Sequence, residues 1–283
     1  MKFAFYPGCS YEGTAGYPES VSAVSRALGL ELEEVPDWNC CGATAYFSLD
    51  KYQALALTAR VFALARARGH ETVLTVCNAC YTTLRKGYET LTSDPGLLAR
   101  INEALKSEGL AMDDTVQVRH MLEVLTEVLP PSIWSEKAVR PMPAWLGSSK
   151  VAGYYGCQLT RPWGDLDRPE RPDMLERFIT ALGLIPARHS AGTMCCGASH
   201  SAVYSRACRP LVERIVRGVR RAEAGLIATI CPLCQFNLDA GQIDLPAPHL
   251  PVLFFTQLAG LALGLAPEEL GLNKLMISLN FTG

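Results

Sequence analysis

The chain repeats itself, and this repeat is the strongest constraint on its fold. KFAFYPGC at residues 2–9 recurs as KVAGYYGC at residues 150–157, and ALGL at 27–30 recurs at 181–184. CCGA at 40–43 returns at 195–198, and the CxxC at 77–80 returns at 231–234. Four matches at a nearly constant separation of about 150 residues indicate a duplicated unit rather than chance composition. Both copies are therefore expected to fold alike.

Within each copy, short apolar runs alternate with helical patterns. In the first copy strands are expected at 2–6, 32–35, 72–76 and 116–119, with helices at 18–28, 50–68, 79–91 and 120–129. In the second the strands fall at 151–155, 185–187, 226–230 and 252–255, and the helices at 169–182, 202–224, 232–240 and 256–265. Strands joined by crossover helices predict an α/β fold made of two pseudo-symmetric parallel-sheet halves. The halves are taken as 1–145 and 146–283, joined through a segment rich in Pro130, Pro131, Pro141, Pro143 and Gly147. A helical insert at 94–109 has no counterpart in the second copy and serves either an interface or a surface elaboration.

Composition narrows the function. The chain has 283 residues, of which 49% are hydrophobic and 19% charged, with a net charge of -2. The low charge fits either surface covered by partner subunits or a large monomer, and without a lysine- or arginine-rich run nothing points to nucleic acid. The N-terminus carries no apolar stretch before Pro7-Gly8 and does not read as a secretory signal, so a cytoplasmic location is expected, with any membrane association made through partners. The uncharged stretch at 245–267 is broken by Pro246, Pro248 and Pro251. Its continuous helical part, 254–265, is too short to span a bilayer, and a buried helix is expected.

Eleven cysteines are the outstanding number. An odd count containing adjacent pairs makes a poor disulfide framework, and in a reducing compartment so many thiols point to metal. Cys208 lies outside the repeat and reads as a core cysteine. The other ten fall into two sets, most of them at strand ends: Cys9 and Cys157 after the first strand of each copy, Cys77 and Cys231 after the third, with Cys80 and Cys234 opening the next helix. Open parallel sheets bind ligands beyond the carboxyl ends of their strands, and a helix N-terminus stabilises thiolate charge.

Three chemistries compete. Structural zinc takes four ligands, and adjacent cysteines such as Cys40-Cys41 rarely both bind one tetrahedral ion. A dithiol of the thioredoxin type explains one CxxC and leaves most of the cysteines idle. An iron–sulfur cluster offers several iron atoms to soft thiolates, so neighbouring cysteines can reach different irons. A cubane takes four cysteines, so a fifth implies either a spare thiol for substrate or an unusual cluster. No G-x-G-x-x-G or Walker sequence is present, so neither a nucleotide nor a flavin is expected in this chain. Gly8 and Gly156 before the first cysteines, and Gly42 and Gly197 after the pairs, are expected to let the backbone approach a cluster.

The spacing Cys9-(30 residues)-Cys40-Cys41-Gly42-(34 residues)-Cys77-x-x-Cys80 resembles the CCG motif. So does Cys157-(37 residues)-Cys195-Cys196-Gly197-(33 residues)-Cys231-x-x-Cys234. Over essentially its whole length the chain is similar to the CCG-domain family, which includes the B subunit of CoB–CoM heterodisulfide reductase and bacterial heterodisulfide-reductase-like relatives. The resemblance implies that Cys9, Cys40, Cys41, Cys77 and Cys80 bind one non-cubane 4Fe-4S cluster. It implies that Cys157, Cys195, Cys196, Cys231 and Cys234 bind a second. It further implies an oxidoreductase component acting on sulfur groups, with electrons arriving through two partners, a small ferredoxin-like subunit and a flavin-containing subunit. Two one-electron clusters match the two electrons that a disulfide needs, without a flavin in this chain.

The substrate implied is CoM-S-S-CoB or a related disulfide or persulfide. The alternatives are sulfur carried on a lipoyl protein in a sulfur-oxidising complex, or an electron-relay role beside a dehydrogenase. No side chain is assigned to catalysis. His120 and His200 are placed near the motifs as weak proton-donor candidates, and Arg161 and Arg206 as weak anion-binding candidates.

Overall fold

The computed structural model describes residues 1–43, 46–138, 146, 150–161 and 166–279. The expected boundary between residues 145 and 146 falls at the edge of a segment outside the described residues. Two four-stranded sheets are present, both entirely parallel, and their strand orders are identical. The first contains β1 (Lys2–Tyr6), β2 (Glu31–Glu34), β3 (Thr72–Thr75) and β4 (Gln117–His120), arranged β2-β1-β3-β4. The second contains β5 (Lys150–Tyr154), β6 (Ile185–Ala187), β7 (Ala224–Thr229) and β8 (Val252–Phe254), arranged β6-β5-β7-β8. The duplicated α/β architecture expected from the repeat is thus the fold.

Burial explains the placement. β1 and β5 are buried from their second residue onward, as befits strands covered on both faces. The edge strands are different. β2 reads ELEE, and the charge along it discourages pairing with another chain; β6 reads IPA, and Pro186 is tolerated because an edge strand need not donate on its open side.

The helices, in chain order, are α1 (Tyr17–Leu28), α2 (Tyr46–Leu49), α3 (Lys51–Ala67), α4 (Asn78–Thr92), α5 (Pro95–Leu105), α6 (Met121–Glu123) and α7 (Ser132–Lys137). They continue with α8 (Met174–Ala181), α9 (Ala198–Ser201), α10 (Ser205–Arg221), α11 (Pro232–Ala240) and α12 (Phe255–Ala262). Side chains fix several starts. Asp50 accepts a hydrogen bond from the Gln53 amide at 3.0 Å to open α3, and Asp94 accepts from the Leu97 amide at 2.9 Å to open α5 behind Pro95.

Three elements depart from the sequence reading for identifiable reasons. The helix expected from 169 begins only at Met174: Pro172 disfavours helical backbone before it, and Asp167 Oδ2 instead accepts from the Asp173 and Met174 amides at 2.8 and 2.7 Å. The helix expected at 120–129 does not start at His120, which closes β4; one α-helical turn passes into a π-helix at Val124–Val128, where the Leu129 amide bonds back to Val124 O. The helix expected at 202–224 is shortened to α10 (Ser205–Arg221): non-helical backbone at Tyr204, φ -123° and ψ 47°, delays its start and separates it from the short α9 before it.

The chain packs as two compact units. One comprises Met1–Cys9 and Gly29–Met121, and holds the first sheet with α2 to α5. The other comprises Ser10–Leu28 and Leu122–Gly283, and holds the second sheet together with α1. Although α1 links β1 to β2 in the chain, it packs against α12 in the second unit. There Tyr17 stacks on Phe254 with ring centroids 3.6 Å apart, and Ser20 Oγ lies 2.8 Å from Thr256 Oγ1. Every residue of α12 is buried, as expected of the uncharged C-terminal helix. No helix among the described residues is long and apolar enough to cross a membrane.

Candidate metal centre

In both sheets the strand order reverses between the first and third strands, so a crevice forms at their carboxyl ends. Cys9 and Cys77 follow the two strands that flank the crevice of the first sheet, and Cys157 and Cys231 do so in the second. Cys77 and Cys231 are the residues that cap α4 and α11, each in extended conformation, so Cys80 and Cys234 lie in the first helical turns. Unpaired amides of that turn favour negative charge on these sulfurs.

The ten repeat cysteines come together in two groups of five. In the first, Cys41 Sγ lies 3.5 Å from Cys80 Sγ. Cys40 contacts both Cys9 and Cys41, and Cys80 contacts both Cys41 and Cys77, so the thiols form one continuous chain. In the second, Cys196 Sγ lies 3.6 Å from Cys234 Sγ, Cys195 contacts Cys157, and Cys231 contacts Cys234. All eleven cysteines are free thiols. Among the described residues, no three donors surround a single metal-ion position.

Each group has a buried floor and an accessible rim. Cys41, Cys77 and Cys80 are buried while Cys9 and Cys40 are exposed; Cys196, Cys231 and Cys234 are buried while Cys195 is exposed and Cys157 half-buried. The charge settles differently in the two groups. Hydrogen bonds from Cys41 and Cys9 hold the Cys40 thiol well below its ordinary range, whereas Cys9 is pushed up by its hydrogen bond to Cys40 and by burial. In the second group Cys196 is drawn down to about 6, chiefly by its hydrogen bond with Cys234, while burial pushes Cys157 up to about 11.

The loop carrying each Cys-Cys pair is pinned from below by a tyrosine. Tyr6, fully buried at the end of β1, donates its hydroxyl to Asn39 O at 2.7 Å. Tyr154, fully buried at the end of β5, donates to Met194 O at 2.6 Å. Each accepting carbonyl immediately precedes a Cys-Cys pair. Sequence reasoning does not single out these tyrosines, although the alignment of KFAFYPGC with KVAGYYGC contains the signal. It also misses Asn237 on α11, whose side-chain amide donates to Cys196 O at 2.7 Å.

The glycine reading has a concrete basis at Gly8. Its φ is +77°, and a Cβ there would lie 2.7 Å from Cys80 Sγ. Backbone and sulfur occupy the space a side chain would need. Gly197 is similarly confined, with φ +85° and Cys208 Sγ 3.0 Å from where a Cβ would stand. Cys208 itself is buried and donates its S–H to Gly197 O at 3.3 Å, so it braces the second motif from behind.

The polar candidates are less coherent. His120 is fully buried at the end of β4, edge-on to Tyr81, rather than at an open rim. His200 is exposed on α9 beside Tyr204. Arg161 is exposed and donates to Thr193 O at 2.7 Å, tying the loop after Cys157 to the loop before Cys195. Arg206 is exposed at the start of α10.

The donor set fits an iron–sulfur group: soft thiols only, five to a site, buried on one side and open on the other, beneath a helix N-terminus. Comparison with known proteins agrees with this geometry. The cysteine-rich domain family CCG matches residues 3–85 and 151–239, one match per sheet. The chain is 31% identical to the B subunit of the Methanosarcina acetivorans ferredoxin/F(420)H(2)-dependent CoB-CoM heterodisulfide reductase, over 96% of this chain and 93% of that one. It is 33% identical to the 8-methylmenaquinol:fumarate reductase membrane anchor subunit of Wolinella succinogenes, over 98% of this chain and 97% of that one. Among solved structures, a hypothetical protein from Helicobacter pylori shares the fold with a TM-score of 0.78 at 16% identity; the match covers 99% of this chain and 53% of that one. With both halves matched and relatives aligned nearly end to end, the chain belongs to the cysteine-rich CCG-domain family that includes the B subunit of heterodisulfide reductase.

Proposed function

We propose that this chain is the iron–sulfur subunit of a heterodisulfide-reductase-type complex, with two 4Fe-4S clusters of non-cubane type. Cys9, Cys40, Cys41, Cys77 and Cys80 would hold one, and Cys157, Cys195, Cys196, Cys231 and Cys234 the other, so that each half (1–145 and 146–283) supplies one site. The observation that carries this reading is the gathering of five sulfurs, twice, at the switch point of a parallel sheet. When bound, such clusters supply one-electron transfer, and two of them match the electron count of a disulfide.

The chain's own residues supply the rest. Buried Cys41, Cys77 and Cys80 exclude water from one face of the first site, while exposed Cys9 and Cys40 leave the other face open to a sulfur-containing substrate. Cys195 and half-buried Cys157 do the same at the second site. Tyr6 and Tyr154 fix the loops that present the Cys-Cys pairs. Electrons would pass through a ferredoxin-like subunit and a flavin-containing subunit of the same complex. The substrate is a disulfide or thiol, either CoM-S-S-CoB or a related disulfide or persulfide, the lipoyl-bound sulfur of a carrier protein included. The test is anaerobic purification with iron and acid-labile sulfide analysis. Roughly eight irons per chain are expected, and clearly fewer than about four per cluster after reconstitution would overturn the assignment.

A second reading is favoured by one finding, the 33% identity to a subunit of a menaquinol:fumarate reductase. There the chain relays electrons within a membrane-associated oxidoreductase and no thiol substrate meets it. EPR of the oxidised protein separates the two. A signal altered by added thiol supports chemistry at sulfur; a signal indifferent to every small thiol and to a lipoyl protein supports the relay.

A further inference from the structure

The last rung of each sheet carries the same buried hydroxyl. Thr75 closes β3 and Thr229 closes β7, each two residues before the cysteine that caps the next helix, and the two hold equivalent positions in the repeat. Both are fully buried. In each, Oγ1 has no hydrogen-bond partner among the described residues. A buried hydroxyl without a partner is costly and uncommon. Its recurrence at the matching position of both copies points to a shared partner rather than to a local accident of packing.

Strand register shows which way these side chains face. Thr75 is paired with Tyr6 of β1 and Thr229 with Tyr154 of β5, and residues paired across a sheet project from the same face. On that face the two tyrosines meet the thiols. Burial first, and then the charges of Cys80, Cys41, Cys40 and Cys9, push the Tyr6 hydroxyl's pKa up; burial and then Cys234, Cys196 and Cys157 do the same to Tyr154. A Cβ on Gly8 would stand 2.7 Å from Cys80 Sγ and 3.9 Å from the Tyr6 ring, so sulfur and ring share one space. α4, which carries Cys80, packs on β3 itself. The threonines therefore project toward the buried floor of each site, made by Cys41, Cys77 and Cys80 in one and Cys196, Cys231 and Cys234 in the other. A group bound by these thiols meets the hydroxyl from within that floor, and no access from the open rim is required.

We propose that Thr75 and Thr229 donate O–H···S hydrogen bonds to the iron–sulfur groups held by the two cysteine sets, and that they set how readily each group accepts an electron. The inference rests on the cluster reading given above and adds to it two residues outside the cysteine motif. Either a cysteine thiolate or a bridging sulfide can accept such a bond. Reduction adds negative charge that spreads onto sulfur, and a donor to sulfur stabilises the reduced form more than the oxidised one.

The test is an anaerobic redox titration of the reconstituted, cluster-containing full chain, followed by ultraviolet–visible and EPR spectra. The parent is compared with Thr75→Val, Thr75→Ser, Thr229→Val and Thr229→Ser. Valine keeps the branched shape and removes the hydroxyl, whereas serine keeps the hydroxyl and removes the methyl. Each valine variant is expected to lower the midpoint potential of one cluster and leave the other in place. The reduced-to-oxidised ratio at a fixed potential should fall roughly three- to tenfold, and tenfold is about 59 mV for one electron. Each serine variant is expected to titrate close to the parent. Loss of iron from a valine variant but not from its serine counterpart supports the same contact. The proposal is overturned if the valine variants titrate as the parent does, if serine shifts a potential as much as valine, or if both substitutions lose iron alike. Where the parent holds its iron, these results leave the cluster reading standing; a parent without iron after reconstitution overturns that reading and the proposal with it.

Discussion

The two cysteine sites share one pattern but are braced differently. Around the first, support reaches the loop upstream of the cysteine pair. Arg60, on α3, donates to Asp37 O at 2.6 Å and to Asn39 Oδ1 at 3.3 Å, and the Asn39 side chain reaches Leu57 O at 3.1 Å. Around the second, Arg161 likewise reaches the upstream loop at Thr193 O, but buried support is added at the pair and just beyond it, from Asn237 on Cys196 O and from Cys208 on Gly197 O. The rims differ in the same direction: two exposed cysteines at the first site, one exposed and one half-buried at the second. Duplication preserved the ten cysteines and allowed the scaffold behind them to diverge. If both sites hold clusters as proposed, the first favours access and the second retention.

This contrast can be broken most decisively by removing one site at a time. Cys41→Ser and Cys196→Ser are each expected to lower the iron content from roughly eight to roughly four per chain, since each removes a buried sulfur from one group only. Loss of all iron from either variant would mean the sites are not independent. The two single-site proteins then allow the sharper test: with an iron chelator, the first site left by Cys196→Ser should bleach faster than the second site left by Cys41→Ser. Equal rates would remove the distinction between access and retention.

Gly8→Ala comes next in size. A positive φ costs an alanine about 1–2 kcal/mol, and its methyl would meet Cys80 Sγ at 2.7 Å. Iron should be lost from the first site while the second keeps its share, measured on the Cys196→Ser and Cys41→Ser backgrounds. Asn237→Ala leaves Cys196 O without its donor, which is worth about 1–3 kcal/mol for a buried acceptor. Chelation of the second site should accelerate with no change at the first.

The smallest effects are expected at the tyrosines. Tyr6→Phe and Tyr154→Phe each delete one hydrogen bond to a motif carbonyl, about 0.5–1.5 kcal/mol by denaturant unfolding. Because the two bonds are equivalent in the repeat, the two losses should be alike. A large inequality would show that the remaining braces, Arg60 on one side and Asn237 with Cys208 on the other, dominate loop stability.

Much of this was legible in the sequence because it is local. Strand periodicity, helix starts and cysteine spacing depend on residues near one another in the chain, and all eight strands lie where the alternation of patterns placed them, within about two residues. The misread elements were local conflicts as well: Pro172 with Asp167 delayed α8, and the buried end of β4 absorbed His120. The braces were not legible in the same way. Asn237 in α11 looks like any polar helical residue until the Cys196 carbonyl is found beside it, and Thr75 and Thr229 look like ordinary strand residues until their hydroxyls are found buried without a partner.

The sequence by itself determined that two copies of one α/β unit would each carry five cysteines to one sheet end, because spacing and periodicity follow from backbone geometry alone. Tertiary structure decided what spacing cannot. It assigned α1, by packing on α12, to the unit of the second sheet. It also made Cys9 and Cys40 accessible while Cys41 and Cys80 are enclosed. Burial and hydrogen-bond partners are set by whichever distant segments close over a residue, and that information exists only once the chain has folded.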